Sequence, residues 1–176
     1  MRSISLTITF ITVTMLIVIR VVEGIILKEK ICCFCGHRDC DSLMREQIKE
    51  KITNLIENQD IITFYSGGMG NFDMLCGSVV RELKHKYKNI RLCLIAPYMA
   101  KKLNTDKEYY AEMYDEIIIP DLGDVHYKRA ITERNKWMVD QSDVVLCYVT
   151  RSSGGAYTMR EYAAKTDKNV ILTDII

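Results

Sequence analysis

The residues best suited to chemistry crowd one short stretch, Ser66, Gly67, Gly68, Gly70, Asn71 and Asp73. An apolar, β-type run at 61–64 precedes it and a helical pattern follows, so the glycines sit at a strand-to-helix junction. Such a junction suits an anion. Glycine lets a ligand approach the backbone, and the free amides and positive dipole end of the next helix attract negative charge. The spacing is not G-x-G-x-x-G and no Walker lysine follows, which argues against a standard dinucleotide site and against a P-loop ATPase. Asp73 falls in the first helical turn. It can serve the helix dipole there, accept hydrogen bonds from a ribose, or act as a base or electrostatic stabiliser at an anomeric carbon.

A second glycine turn, residues 151–158, contains Gly154, Gly155 and Thr158, with Glu161 three positions further on. Thr158 and Glu161 have the spacing of a capping box at a helix start. The alternative is that Glu161 enters a crevice as a sugar-binding or catalytic carboxylate. Gly36, His37, Arg38 and Asp39 form another turn, in which Arg38 is either a phosphate fork or a surface arginine paired with Asp39 or Asp41. His37 can hold that turn as a half-buried histidine. Cys32, Cys33, Cys35, His37 and Cys40 invite a zinc reading, but side chains alternate between faces along a strand, so no metal is expected. No cofactor is implied either. Arg134 and Asn135 lie mid-helix beside Trp137, placed to enter a crevice or to cap neighbouring loops. Tyr98, Tyr109, Tyr110 and Tyr114 can form a lid, stack on a base, or pack.

The elements that must position these residues follow from periodicity. Apolar runs at 31–35, 61–64, 90–96, 116–119, 143–149 and 170–172 read as strands, and helical spacing recurs between most of them. Residues 43–56 form a helix with Leu43, Ile48, Ile52, Leu55 and Ile56 on one face, capped by Asp41 or Ser42. Further helices are expected through 75–83, 126–140 and 159–165, and a loop with a short helix through 98–114. The fold class is therefore α/β: a single doubly wound, Rossmann-like, mainly parallel sheet of about six strands with helices on both faces. Ligands in such sheets bind outside the C-terminal strand ends, where strand order reverses. The turns at Gly36, Ser66 to Gly70, Pro120 and Gly154 all fall on that edge.

The apolar and charged fractions, 48% and 27%, are those of a globular domain with a substantial core, and a net charge of +1 offers no basic excess for nucleic acid. Seven cysteines, an odd number, argue for reduced thiols in a cytoplasm. Residues 1–27 are an apolar extension outside the domain, which occupies 28–176. Its uncharged run at 4–19 is short for a bilayer span and contains four threonines. Three readings stand: an over-extended start with translation from Leu27, a membrane anchor, or an export signal.

The segments 32–38, 65–73, 134–140 and 151–158 together resemble the YpsA-type branch of the SLOG superfamily, and the resemblance runs over nearly all of 28–173. It implies a Rossmann-like fold that binds nucleotides or nucleotide-derived ligands, with the first glycine motif as ligand loop. The superfamily also contains cytokinin-activating phosphoribohydrolases and the DNA-processing protein A fold. Cys35 stands where a threonine is expected. Of the pattern Pro-Gly-Gly-x-Gly-Thr-x-x-Glu, Thr158 and Glu161 match, whereas Ser153 and Tyr157 replace a proline and a glycine.

The expectation is a binding or sensor domain for a nucleotide or ADP-ribose-like molecule. Amides of Gly67 to Asn71, Gly154 and Gly155, with Arg38, would hold phosphate, and Asp73 or Asn135 the sugar. The alternatives are an enzyme, an N-glycosidic hydrolase or deoxyribosyltransferase with Asp73 or Glu161 as catalytic carboxylate, and a single-stranded DNA-binding protein. No nucleic-acid partner is expected, a membrane only through residues 4–19, and self-association is open.

Overall fold

A computed structural model describes residues 7–12, 15–22, 25–166 and 171–174, with side chains over 28–166. Residues 1–6, 13–14, 23–24, 167–170 and 175–176, which fall within the extension, the domain and the last strand expected above, lie outside the described residues. The chain divides into a small antiparallel sheet and a larger α/β layer structure. Strands β1 (Thr7–Thr12), β2 (Met15–Val22) and β3 (Ile25–Lys28) pair in sequence order. Their threonine, isoleucine and valine content favours strands over helix. Among the described residues no helix is long and apolar enough to cross a membrane.

The main sheet is built from β4 (Lys30–Gly36), β5 (Ile61–Ser66), β6 (Arg91–Ile95), β7 (Glu116–Ile118), β8 (Val144–Tyr148) and β9 (Ile171–Asp174). Its order is β7-β6-β5-β4-β8-β9, and every pairing is parallel. Strand order reverses between β4 and β8. The chain leaves β4 toward β5 on one side, and only later returns to lay β8 along the other edge of β4. The loops that follow these two strands therefore run apart and leave a crevice.

Helices α1 (Arg45–Gln59) and α2 (Asn71–Leu83) cover one face, and α5 (Tyr127–Gln141) and α6 (Gly154–Lys165) the other. The short α3 (Lys101–Thr105) and α4 (Lys107–Met113) follow β6. The two-residue alternation of a strand buried on both faces is plain in β4. Cys32 and Phe34 join Ile48, Ile52, Val79 and Val80 in one core layer, while Ile31, Cys33 and Cys35 join Met138, Val139 and Met159 in the other. The strand cysteines are thus split between layers, and all seven cysteines are buried free thiols.

At the sheet's other edge, two aspartates repeat one device. Asp143, just before β8, accepts from the amide of Ile31 at 2.8 Å and donates its own amide to the Ile31 carbonyl at 2.8 Å. Asp115, just before β7, does the same to Leu92 of β6, at 2.7 and 2.8 Å. Each clamp satisfies strand-end groups that would otherwise go unpaired and fixes the register of the incoming strand.

Helix α2 starts at Asn71, ahead of the expected 75, and the start of the last helix differs most from the sequence expectation. Helix α6 begins at Gly154 with Ser153 as its N-cap, well before the expected start at 159. Thr158 is therefore not a cap. Its hydroxyl turns back to the Gly154 carbonyl at 3.1 Å, as a hydroxyl does inside a helix, and no capping box with Glu161 forms.

Candidate functional site

At the point of strand reversal lies a crevice of about 370 Å³. The turn after β4 supplies Gly36, His37 and Arg38, the turn after β5 supplies Gly67 and Met69, and α2 supplies Asp73. Residues Arg134 and Asn135 come from α5, and Arg151, Ser153, Gly154 and Gly155 from the turn after β8. Of the expected residues, Gly36, Arg38, Gly67, Asp73, Asn135, Gly154 and Gly155 meet here.

The guanidinium of Arg134 holds the centre. It is 1% exposed, and it donates to the Gly67 carbonyl at 2.9 Å and to the Ile95 carbonyl, with Nε on Asn135 Oδ1 at 3.0 Å and a further contact to Met69 Sδ. Burying a charge costs several kcal/mol unless it is hydrogen-bonded and countered (~2–5 kcal/mol per ion after relaxation). Two carbonyls and the nearby Asp73 carboxylate meet that requirement. Gly67 is needed because a Cβ there would stand 2.9 Å from Nη1 of Arg134.

Asp73 is 8% exposed and accepts from the Met69 amide at 2.8 Å. Burial pushes its carboxyl from 3.8 up to about 6, against the opposing pull of the Met69 amide and the Arg134 charge. In return, burial lowers the Arg134 guanidinium and Asp73 partly restores it.

The first glycine loop proves to be folded on itself. The Gly68 amide donates to Ser66 Oγ at 3.1 Å, Met69 to Asp73, and Asn71 to the Arg38 carbonyl at 3.0 Å. Gly70, at φ +100°, lets the loop press on Arg38, whose Cα a Cβ would meet at 2.7 Å. These bonds correct the expectation of free amides for phosphate at Gly68, Met69 and Asn71. Ser66 is fully buried, Gly68 faces a second crevice, and Asn71 lies along a groove on the far side of α2, with its side-chain amide toward the Cys40 carbonyl at 3.5 Å.

The second turn is the open one. Ser153 makes no side-chain cap, and the first-turn amides of α6 have no acceptor within the helix. A Cβ at Gly154 or Gly155 would meet nothing within 4 Å. Thr158 and Glu161 lie up the helix and outside the crevice. Glu161 has Arg160 at 3.9 Å, so it is not placed as a carboxylate of the crevice. Arg38 makes no ion pair among the described residues. Asp39 pairs instead with Arg151 at 2.8 Å, and Asp41 caps the following turn through the Leu43 amide.

His37 performs the structural role read from the sequence. Its Nε2 accepts from the Arg151 amide at 3.2 Å and its own amide reaches the Tyr148 carbonyl at 3.2 Å, which ties the turns after β4 and β8 together. Met69 and Arg151 gave no signal in the sequence, since a methionine and an exposed arginine acquire their places only through the tertiary turns.

The family model described as YspA SLOG family (YpsA) matches residues 28–175. No curated protein matches the chain. Among solved structures, the fold is similar to DNA processing protein A from Streptococcus pneumoniae, with a TM-score of 0.58 and 13% identity over 82% of this chain and 50% of that one. It is also similar to DNA processing protein A from Helicobacter pylori, described for its single-stranded DNA binding mode, with a TM-score of 0.56 and 15% identity over 81% of this chain and 64% of that one. The chain thus spans half to somewhat under two thirds of these neighbours.

Replacing Arg134 by Ala strips both carbonyls of their donor and leaves Asp73 without its countercharge. Urea unfolding is expected to show a loss of about 3–5 kcal/mol. Asp73 sets a pH dependence of definite sign. Between 3.8 and about 6 the folded protein keeps a proton that the unfolded chain releases, so this group's contribution falls as pH rises through that window. Asp73→Asn, which still offers Met69 an acceptor, is expected to stabilise the fold at pH 7 by roughly 2–3 kcal/mol and to lose most of that advantage below pH 4, read as melting temperature against pH.

Proposed function

The chain belongs to the YspA SLOG family (YpsA), and on that premise we propose that it is a binding or sensor domain for a nucleotide or nucleotide derivative of the ADP-ribose type. One observation carries the reading. The uncapped first turn of α6 and the unpaired Arg38 line the same crevice as Asp73 and Asn135, at the point of strand reversal. Helix amides and a guanidinium suit phosphate, while a carboxyl and an amide suit sugar hydroxyls. The phosphate falls to the second turn and Arg38, because the first glycine loop uses much of its hydrogen-bonding capacity within the protein.

Calorimetric titration with a panel of nucleoside mono- and diphosphates and ADP-ribose tests this. At least one member should bind, with affinity falling about tenfold or more in Arg38→Ala, the loss of one charge-assisted contact. Gly155→Val, whose Cβ would meet nothing within 4 Å, should block the same ligand without lowering the melting temperature. Silence across the panel, or unchanged affinity in both variants, sinks the proposal. A short single-stranded oligonucleotide belongs in the same titration. Tighter binding of the strand, falling steeply with salt, would shift the occupant from a free nucleotide to nucleic acid.

A second reading has one observation in its favour. Asp73, held near pH 6 inside the crevice, has the protonation behaviour of a general acid or base for N-glycosidic cleavage. Incubation with the bound nucleotide would then release free base, and Asp73→Asn would abolish the release while retaining binding. Binding with no release leaves a sensor.

A further inference from the structure

A second crevice of about 450 Å³ backs onto the first, and Gly67 and Met69 line both. The glycine loop is thus a partition with a cavity on each side. The chemistry of the two sides differs. The first side carries the guanidinium and amide groups, whereas the second is walled by Tyr98, Tyr109, Tyr110 and Tyr114. Packing accounts for only two of these rings. Tyr110 and Tyr114 rest on the small core of Leu94, Ala96 and Leu103, stacked on each other at 6.4 Å and 23°. Tyr98 and Tyr109 do not belong to that cluster and remain 50% and 51% exposed, with Tyr109 edge-on to Tyr110 at 5.3 Å and 81°. Asp106, whose carboxylate does not cap the helix it precedes, stands at the same wall as an acceptor for a ring amino group.

We propose that this tyrosine crevice is a subsite for the heteroaromatic ring of the ligand whose phosphate lies in the first crevice, so that one molecule straddles the glycine loop. The inference rests on the nucleotide reading above and extends it. Each cavity alone lies toward the small end of the ~300–1,000 Å³ range of small-molecule sites. A ligand with a charged end and a flat aromatic end matches the pair. Stacking on Tyr98 and Tyr109 would supply ring affinity with little sequence of hydrogen bonds, and Asp106 would favour rings that carry an amino group.

The probes are ADP, GDP and ribose 5-phosphate, titrated against the full chain and against Tyr98→Ala, Tyr109→Ala and Tyr109→Phe. The expected result is roughly tenfold weaker binding of the ring-bearing diphosphates in either alanine variant. Ribose 5-phosphate should bind all four proteins alike, and Tyr109→Phe should match the parent. Tyr98 and Tyr109 are half-exposed, so their loss leaves the fold intact, and unchanged melting temperatures check this. If ribose 5-phosphate binds and the diphosphates bind no more tightly, or if the alanine variants weaken all probes equally, the subsite is overturned while the phosphate crevice stands. If none of the three binds, the subsite is overturned, and the underlying reading falls with it only when the wider nucleotide panel is also silent.

Discussion

The geometry of the crevice depends on one buried cation. Arg134 reaches from α5 through the C-terminal edge of the sheet to the carbonyls of Gly67 and Ile95, which end β5 and β6. It thereby connects a helix on one face to two strands and to the loop that leads into α2 on the other face. The two carbonyls carry most of the burden of its charge and Asp73 eases the rest, while Asp73 in turn holds the Met69 amide in the same loop. Helix, loop and carboxylate are mutually conditional. No member of the set can be replaced by an apolar residue without exposing another to an unpaired polar group in a dry interior.

This arrangement divides labour between two glycine turns that look alike in sequence. The first is a structural loop. The amides of Gly68, Met69 and Asn71 are taken by Ser66, Asp73 and Arg38, and its glycines allow close approach to Arg134 and to the Arg38 backbone. The second is left open, with an uncapped helix start and empty space around Gly154 and Gly155. Fixing one turn gives the other a rigid opposite wall. His37 completes that wall by joining the turns after β4 and β8.

Much of the scaffold was legible from periodicity. Strand runs of alternating burial and helices with apolar stripes are set by local hydrophobic pattern, so the α/β class, the parallel sheet and the convergence of turns on one edge followed from the chain alone. Convergence of Gly36, Arg38, Asp73, Asn135, Gly154 and Gly155 followed from the same logic. What was not legible depended on where helices begin and where amides go. The start of α6 moved to Gly154, because Ser153 and two glycines enter the helix without an apolar signal, and that shift carried Thr158 and Glu161 out of the crevice. The occupied amides of the first loop were hidden for another reason. For Gly68 and Met69 the acceptors, Ser66 Oγ and Asp73, are local and several roles were open to them, whereas the Arg38 carbonyl that takes the Asn71 amide lies in a distant turn and is selected by tertiary contact.

The buried carboxyl of Asp73 has a consequence for how the crevice would report its occupant. A group that titrates near pH 6 is already partly protonated in slightly acid surroundings. An anion arriving beside it raises that proton affinity further. Occupation of the crevice would therefore draw a proton from the medium, making apparent affinity rise as pH falls and making the heat of binding depend on the ionisation enthalpy of the buffer. A domain built this way would couple ligand concentration to acidity through a single side chain, and the same side chain fixes the loop that shapes the crevice.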